Sequence, residues 1–263
     1  METEKMPLTE HLGDLRKRIT ISLTALLIAF MAAFNYSEEL FRAIMFPLKY
    51  NLSFSMENPF ISIVPQEKLS QTTKLVFLAP AEAFWMSMKV SFVAALVLAL
   101  PVIFYQLWKF ISPGLLAREK KYVLPFVISA TALFMAGASF CFFIVLPFAM
   151  GFLLTYKLGD VLMPMLSVGL YVDFCLKFIL AFGAVFELPI VIIFLTRMGI
   201  VTTKTLAKNR KYAVLAAFIL AAILTPTPDI FNQTLMAIPI IILYEVGILV
   251  SRIFVRGKTA DAG

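Results

Sequence analysis

The residues of this sequence with the means to do chemistry are a few isolated acids. Glu119 stands between Arg118 and Lys120, in a stretch where all other charge is basic. A carboxylate takes two parallel hydrogen bonds from an arginine guanidinium, so an acid held beside a membrane face offers a grip on an incoming cation. The bland alternative is a solvated surface charge, which single acids usually are. Asp173, Lys177 and Glu187 lie in a long apolar stretch, where each ionised group is costly and a functional reading is the default. Asp173 and Lys177, four apart, are spaced to pair on one helix face. Glu187 returns to within about 40° of that face at 100° per residue, so one polar stripe is expected along this helix. No basic residue stands three or four positions from Glu187, and Pro189 frees a carbonyl one turn before it. Water or another chain should satisfy this region, the competing account being a hydrogen bond to a neighbouring helix.

Near the N-terminus, Leu12, Leu15 and Ile19 recur at helical spacing, with Glu10, Asp14 and Arg18 four apart on another face. This reads as a short amphipathic helix entering an apolar one. A purely structural account serves it equally well. Thr9 can cap, early acids suit the positive end of the helix dipole, and Asp14 can pair with Arg18. Pro226, Pro228 and Asp229 form a tight turn in which Asp229 is placed to cap the following helix. Gln233 follows, where an amide can bond a partner helix. Lys89 reads as a snorkelling residue.

Much chemistry is missing. The single histidine is His11, and there is no His-Glu-x-x-His pair, Gly-x-Ser-x-Gly elbow or phosphate-binding glycine loop. The chain is therefore expected to be no enzyme, with no metal and no cofactor.

These residues must be held by membrane-spanning helices. Of 263 residues 61% are hydrophobic and 15% charged, with 26 Phe and a mean hydropathy of +0.91, which makes the bilayer the expected solvent. Uncharged runs cover residues 19–37, 90–108, 122–156 and 212–228, and a helix needs roughly 20 apolar residues to cross. Six spans are expected near residues 19–36, 84–108, 122–147, 168–196, 212–225 and 231–250, in an all-α fold. The first is taken as retained, since no small-residue cleavage site follows it. Cys141 and Cys175 lie inside apolar runs and behave as small hydrophobes.

Lysine and arginine set the orientation. The N-terminal segment holds four, the second loop four, the fourth loop five and the tail three, sixteen on one side. The first loop holds four, the third one and the fifth none, five on the other. By the positive-inside rule both termini are cytoplasmic. The net charge of +7 belongs to these loops, and no soluble basic domain exists to carry nucleic acid. A single domain over 1–263 is expected, with a cytoplasmic amphipathic segment at 1–18, an external cap at 37–83 and a cytoplasmic tail at 252–263. Pro47, Pro59, Pro65 and Pro80 break that cap into short structured pieces. The last two spans are expected to be short, the fifth by length and the sixth because Glu245 interrupts it, with local bilayer thinning or a shallow tilt as the result.

Taken in order, Glu10-His-Leu-Gly-Asp-Leu-Arg-Lys-Arg18, Leu78-Ala-Pro-Ala-Glu-Ala-Phe84, Pro101-Val-Ile-Phe-Tyr-Gln-Leu-Trp108, Phe110-Ile-Ser-Pro-Gly-Leu115, Phe182-Gly-Ala-Val-Phe-Glu-Leu-Pro189 and Leu224-Thr-Pro-Thr-Pro-Asp229 through Gln233 resemble the TatC family. The resemblance covers nearly the whole chain. It implies the signal-peptide receptor subunit of the twin-arginine translocase, in the cell inner membrane. It further implies that the cytoplasmic N-terminal segment and first cytoplasmic loop bind the paired arginines of signal peptides on folded cargo, at the positions of Asp14, Arg16, Phe110 and Glu119. Where this chain has Asp14 the family usually has Glu, one methylene longer. The family's buried acid matches Glu187, and its polar contacts for the single-span partners TatA and TatB match Thr225 and Gln233. Self-association and dependence on the proton gradient are implied as well. The main alternative is a secondary transporter using Asp173, Lys177 and Glu187 as an ion or proton path. It predicts inverted repeats, and none is visible. A ligand-free scaffold would leave Glu119 without a role.

Overall fold

The computed structural model describes residues 8–54, 61–65, 74–111, 123–155, 165–225 and 229–260. All six expected spans are helical. Five stretches are long and apolar enough to cross a membrane: Leu12–Asn35, Glu82–Ile111, Val123–Leu153, Val168–Arg197 and Ile230–Ile253. The remaining span, Arg210–Leu224, has 15 residues and reaches about 22 Å.

By internal contacts the chain forms two compact units, residues 1–43 with 81–132 and residues 44–80 with 133–263. In the first, α1 (Leu8–Asn35) packs along α4 (Glu82–Ile111). The amphipathic start and the first span are one unbroken helix. Its Leu23, Leu27, Ile28 and Met31 are each about 60% exposed or more, the pattern expected where lipid is the solvent. The short α2 (Ser37–Ile44) follows, with Glu38 and Glu39 in its first turn and Arg42 in its last, matching the helix dipole at both ends.

In the second unit, α3 (Phe46–Lys49) leads into an antiparallel pair, β1 (Tyr50–Phe54) and β2 (Ile61–Pro65), in register Tyr50 to Pro65. β3 (Lys74–Val76) pairs in parallel with β4 (Met165–Ser167). The cap thus adds small strand pairs to a helical protein. The buried Tyr171 hydroxyl donates to the Ile44 carbonyl at 2.8 Å, and Phe46 stacks on Tyr50 and Phe142, so the cap is fastened to the helices below it.

α5 (Val123–Phe140) passes through a wide π turn, Cys141–Val145, into α6 (Leu146–Thr155). Pro147 lies just beyond the turn; its ring would crowd the Phe143 carbonyl in a regular helix, and the wider turn accommodates it. α7 (Val168–Phe186) begins at Ser167, whose hydroxyl accepts from the Leu170 amide, and buries Tyr171, Val172, Cys175, Phe178 and Phe182. It stops at Glu187 and restarts as α8 (Leu188–Arg197), because Pro189 has no N–H to continue the ladder. Gly199, at φ 74°, closes α8 in the left-handed conformation that glycine adopts at low cost.

α9 (Thr203–Lys208) is capped by the Thr202 hydroxyl, and α10 (Arg210–Leu224) pairs with α11 (Ile230–Ala260). α11 corrects an expectation. It is not short but runs for 31 residues straight past Glu245. The acid is accommodated because Arg210 Nη2 donates to it at 2.7 Å, while Tyr244 donates to the Leu206 carbonyl at 3.0 Å.

Candidate functional site

The candidate residues fall into two groups, one in each compact unit. In the first unit Asp14 sits two turns into α1, and its Oδ2 accepts from Arg18 Nε at 2.9 Å and from Nη2 at 2.7 Å. The pair is partly buried, with side-chain exposures of 28% for Asp14 and 13% for Arg18. Both residues lie one turn apart on one face, as their spacing requires. This carboxylate already holds a guanidinium. An incoming arginine would meet Oδ1, the oxygen that Arg18 does not engage, or would displace Arg18.

Arg16 lies on an exposed face of α1, its side chain free to reach solvent, and its carbonyl accepts from Thr20 Oγ1. Phe110 is half-buried in the last turn of α4, and Trp108 in the same turn packs at a 30° tilt on Phe126 with ring centroids 4.1 Å apart. α1 and α4 are consecutive spans and cross in opposite directions, so the start of one and the end of the other belong to the same membrane face. Glu119 lies outside the described residues.

In the second unit Glu187 occupies the break between α7 and α8. Its amide donates to the Ala184 carbonyl at 3.1 Å, and its own carbonyl accepts from Val191. The helix on that side is packed unusually close. A Cβ added to Gly183 would stand 2.5 Å from the Phe134 ring, and one on Gly137 would stand 2.6 Å from the Phe182 carbonyl oxygen. Small residues admit the neighbouring helix in this way, as membrane helix pairs commonly require. The carboxyl of Glu187 is turned toward the Phe134 backbone, and its buried Oε1 has no hydrogen-bond partner among the described residues. A buried acceptor left without a donor costs about 1–3 kcal/mol, so a hydrogen bond to this oxygen would be favourable.

Thr225, 5% exposed, terminates α10 with its hydroxyl turned back to the Ala221 carbonyl at 2.8 Å. Gln233 Nε2 reaches across to the Phe218 carbonyl on α10 at 3.1 Å, tying the last two spans together. Asp229 caps α11: Oδ1 accepts from the Asn232 amide at 2.7 Å and Oδ2 from Asn232 Nδ2 at 2.9 Å. Asn232, fully buried, is a partner that sequence reading missed, although an Asn three residues after a cap is a visible signal. Lys177 is exposed and makes no hydrogen bond or ion pair among the described residues, so the expected Asp173–Lys177 pair does not form; Asp173 finds a different partner. The turn at Glu187 also interrupts the single polar stripe. No cluster of metal-ligating side chains exists among the described residues.

Three comparisons place this geometry. The model of the TatC family, Sec-independent protein translocase protein, matches residues 10–239. The Sec-independent protein translocase protein TatC of Desulforapulum autotrophicum is 42% identical over 99% of this chain and 89% of its own length. Those of Carboxydothermus hydrogenoformans and Aquifex aeolicus are 40% and 39% identical, covering 98% and 96% of this chain. A crystal structure of a twin arginine translocase receptor, TatC, superposes with a TM-score of 0.76 at 37% identity, over 92% of this chain and 99% of that one.

Proposed function

We propose that this chain, which belongs to the TatC family and is a non-enzymatic component of a Sec-independent protein translocase, is the receptor that reads twin-arginine signal peptides and nucleates assembly of the export complex. The observation that carries the reading is the likeness, across 92% of the chain, to the crystal structure of a twin arginine translocase receptor. The chemistry agrees. A pair of adjacent arginines presents two planar guanidinium forks, and the residues suited to hold them are acids at a cytoplasmic face that is otherwise basic. Glu119 takes one fork. Asp14, one methylene shorter than the family's usual Glu, takes the other through Oδ1 or in exchange with Arg18, with Arg16 and Phe110 shaping the approach.

Both termini lie in the cytoplasm, and the protein resides in the cell inner membrane, where basic loops stay on the inner side. TatA and TatB are the single-span partners. Glu187 meets them as the polar intramembrane contact, its unsatisfied oxygen accepting a donor. Thr225 and Gln233 mark the contact at the outer ends of the last two spans. Recognition proceeds without covalent chemistry, and transport draws on the proton gradient.

Placing a photoreactive side chain at position 119 or 110 in inverted membrane vesicles should crosslink a twin-arginine precursor. A probe at Ile230 on the opposite face should not. Equal labelling at 119 and 230 would remove the receptor face from this account.

A further inference from the structure

Lys177 is an exposed cation in the middle of a span, and nothing among the described residues neutralises it. It stands nine residues from the cap-side end of α7, about 14 Å along the helix. Beside it opens a cleft of about 480 Å³ walled by Leu180, Ala181, Ile223 and Leu224, and among the described residues that line it the lysine is the one polar side chain. Ile223 and Leu224 are the last residues of α10, so that helix ends level with Lys177 and not with the start of α7.

Two consequences follow from these positions. α10 spans about 22 Å where a bilayer core needs about 30 Å, so the membrane surface must descend toward the end of α10. The face it descends along is apolar and open, with Leu220, Ile219 and Ile223 at 44%, 51% and 73% exposure. An ionised lysine at membrane depth demands an anion, and the anion this cleft suits has one charged head and apolar tails. A protein segment would need several polar partners, and the described lining residues supply one.

We propose that Lys177 and the cleft between α7 and α10 form a binding site for an anionic phospholipid, the ammonium holding the phosphate and an acyl chain lying along Ile223 and Leu180. Asp173, one turn toward the cap, is not among the described residues of the cleft wall and has an interaction of its own.

The test uses the full chain in phosphatidylcholine nanodiscs carrying a minor fraction of phosphatidylglycerol with a photoreactive acyl chain. Labelling should map to residues 180–181 and 223–224 and exceed that by an equivalent phosphatidylcholine probe. Lys177→Gln should reduce it about fivefold, the worth of one basic residue at a lipid surface, and Lys177→Arg should retain it. Thermal unfolding of each variant shows whether the fold persists, and Lys177→Arg keeps the comparison decisive if Lys177→Gln does not fold. Equal labelling by the two lipids overturns the proposal, as does unchanged labelling in a folded Lys177→Gln protein. A photoreactive residue at position 223 that captured a membrane-spanning polypeptide in cells, with no lipid adduct, would likewise overturn it in favour of a protein occupant.

Discussion

At the scale of single residues, an acid's meaning depends on what already holds it. Asp14 is engaged by Arg18, so in the proposed cytoplasmic site Glu119 is expected to carry the larger share of the affinity. Asp14→Ala should cost less than about 0.5 kcal/mol of stability, the usual size of a helix ion pair at this spacing. It should weaken binding of a twin-arginine peptide several-fold, as measured by titration of the purified chain. Asp14→Glu should bind at least as well as the parent. Local pairings were legible in the sequence: Asp14 with Arg18, and Asp229 at the start of α11, depend only on residues three or four apart. Asp173 and Lys177 have the same spacing and do not pair, because the lysine faces outward and the acid has an interaction of its own. Thr225 was legible as a polar position but not as a hydroxyl bonded into its own helix.

At the scale of elements, glycine packing decides how closely Glu187 is held. Gly183→Ala would drive a methyl group into the Phe134 ring and should destabilise by about 1–3 kcal/mol, read as a lowered midpoint of thermal unfolding in detergent. Gly13→Ala, where nothing lies within 4 Å, should leave the midpoint unchanged or raise it. The break at Glu187 followed from Pro189. The π turn at Cys141–Val145 did not show in the hydrophobic pattern, since a run apolar on all sides carries no phase to shift. The length of α11 was misjudged for a related reason. A charge inside an apolar run reads as an interruption, yet the cation that accommodates Glu245 is 35 residues away in sequence. The parallel pair of the cap is a pairing of the same kind, with β3 and β4 separated by two spans.

At the scale of the whole molecule, the six-span architecture was readable because apolar length is a property of the entire chain, indifferent to local error. Five spans are long and one is short, and the mismatch at α10 has a measurable result. In bilayers of progressively longer acyl chains, the thermal midpoint should peak at a thickness below that typical of a 30 Å core, since each ångström of mismatch costs a fraction of a kcal/mol. The central claim concerns what this assembly of helices presents to the cytoplasm: carboxylates that grip two adjacent guanidinium groups. Its most direct test is the affinity of the reconstituted chain for a twin-arginine signal peptide against its twin-lysine counterpart, repeated with Glu119→Arg. The twin-lysine peptide, lacking the planar fork, should bind at least about tenfold more weakly, and Glu119→Arg should abolish the difference along with the binding. Equal affinity for the two peptides, or undiminished discrimination in the Glu119→Arg protein, would contradict it.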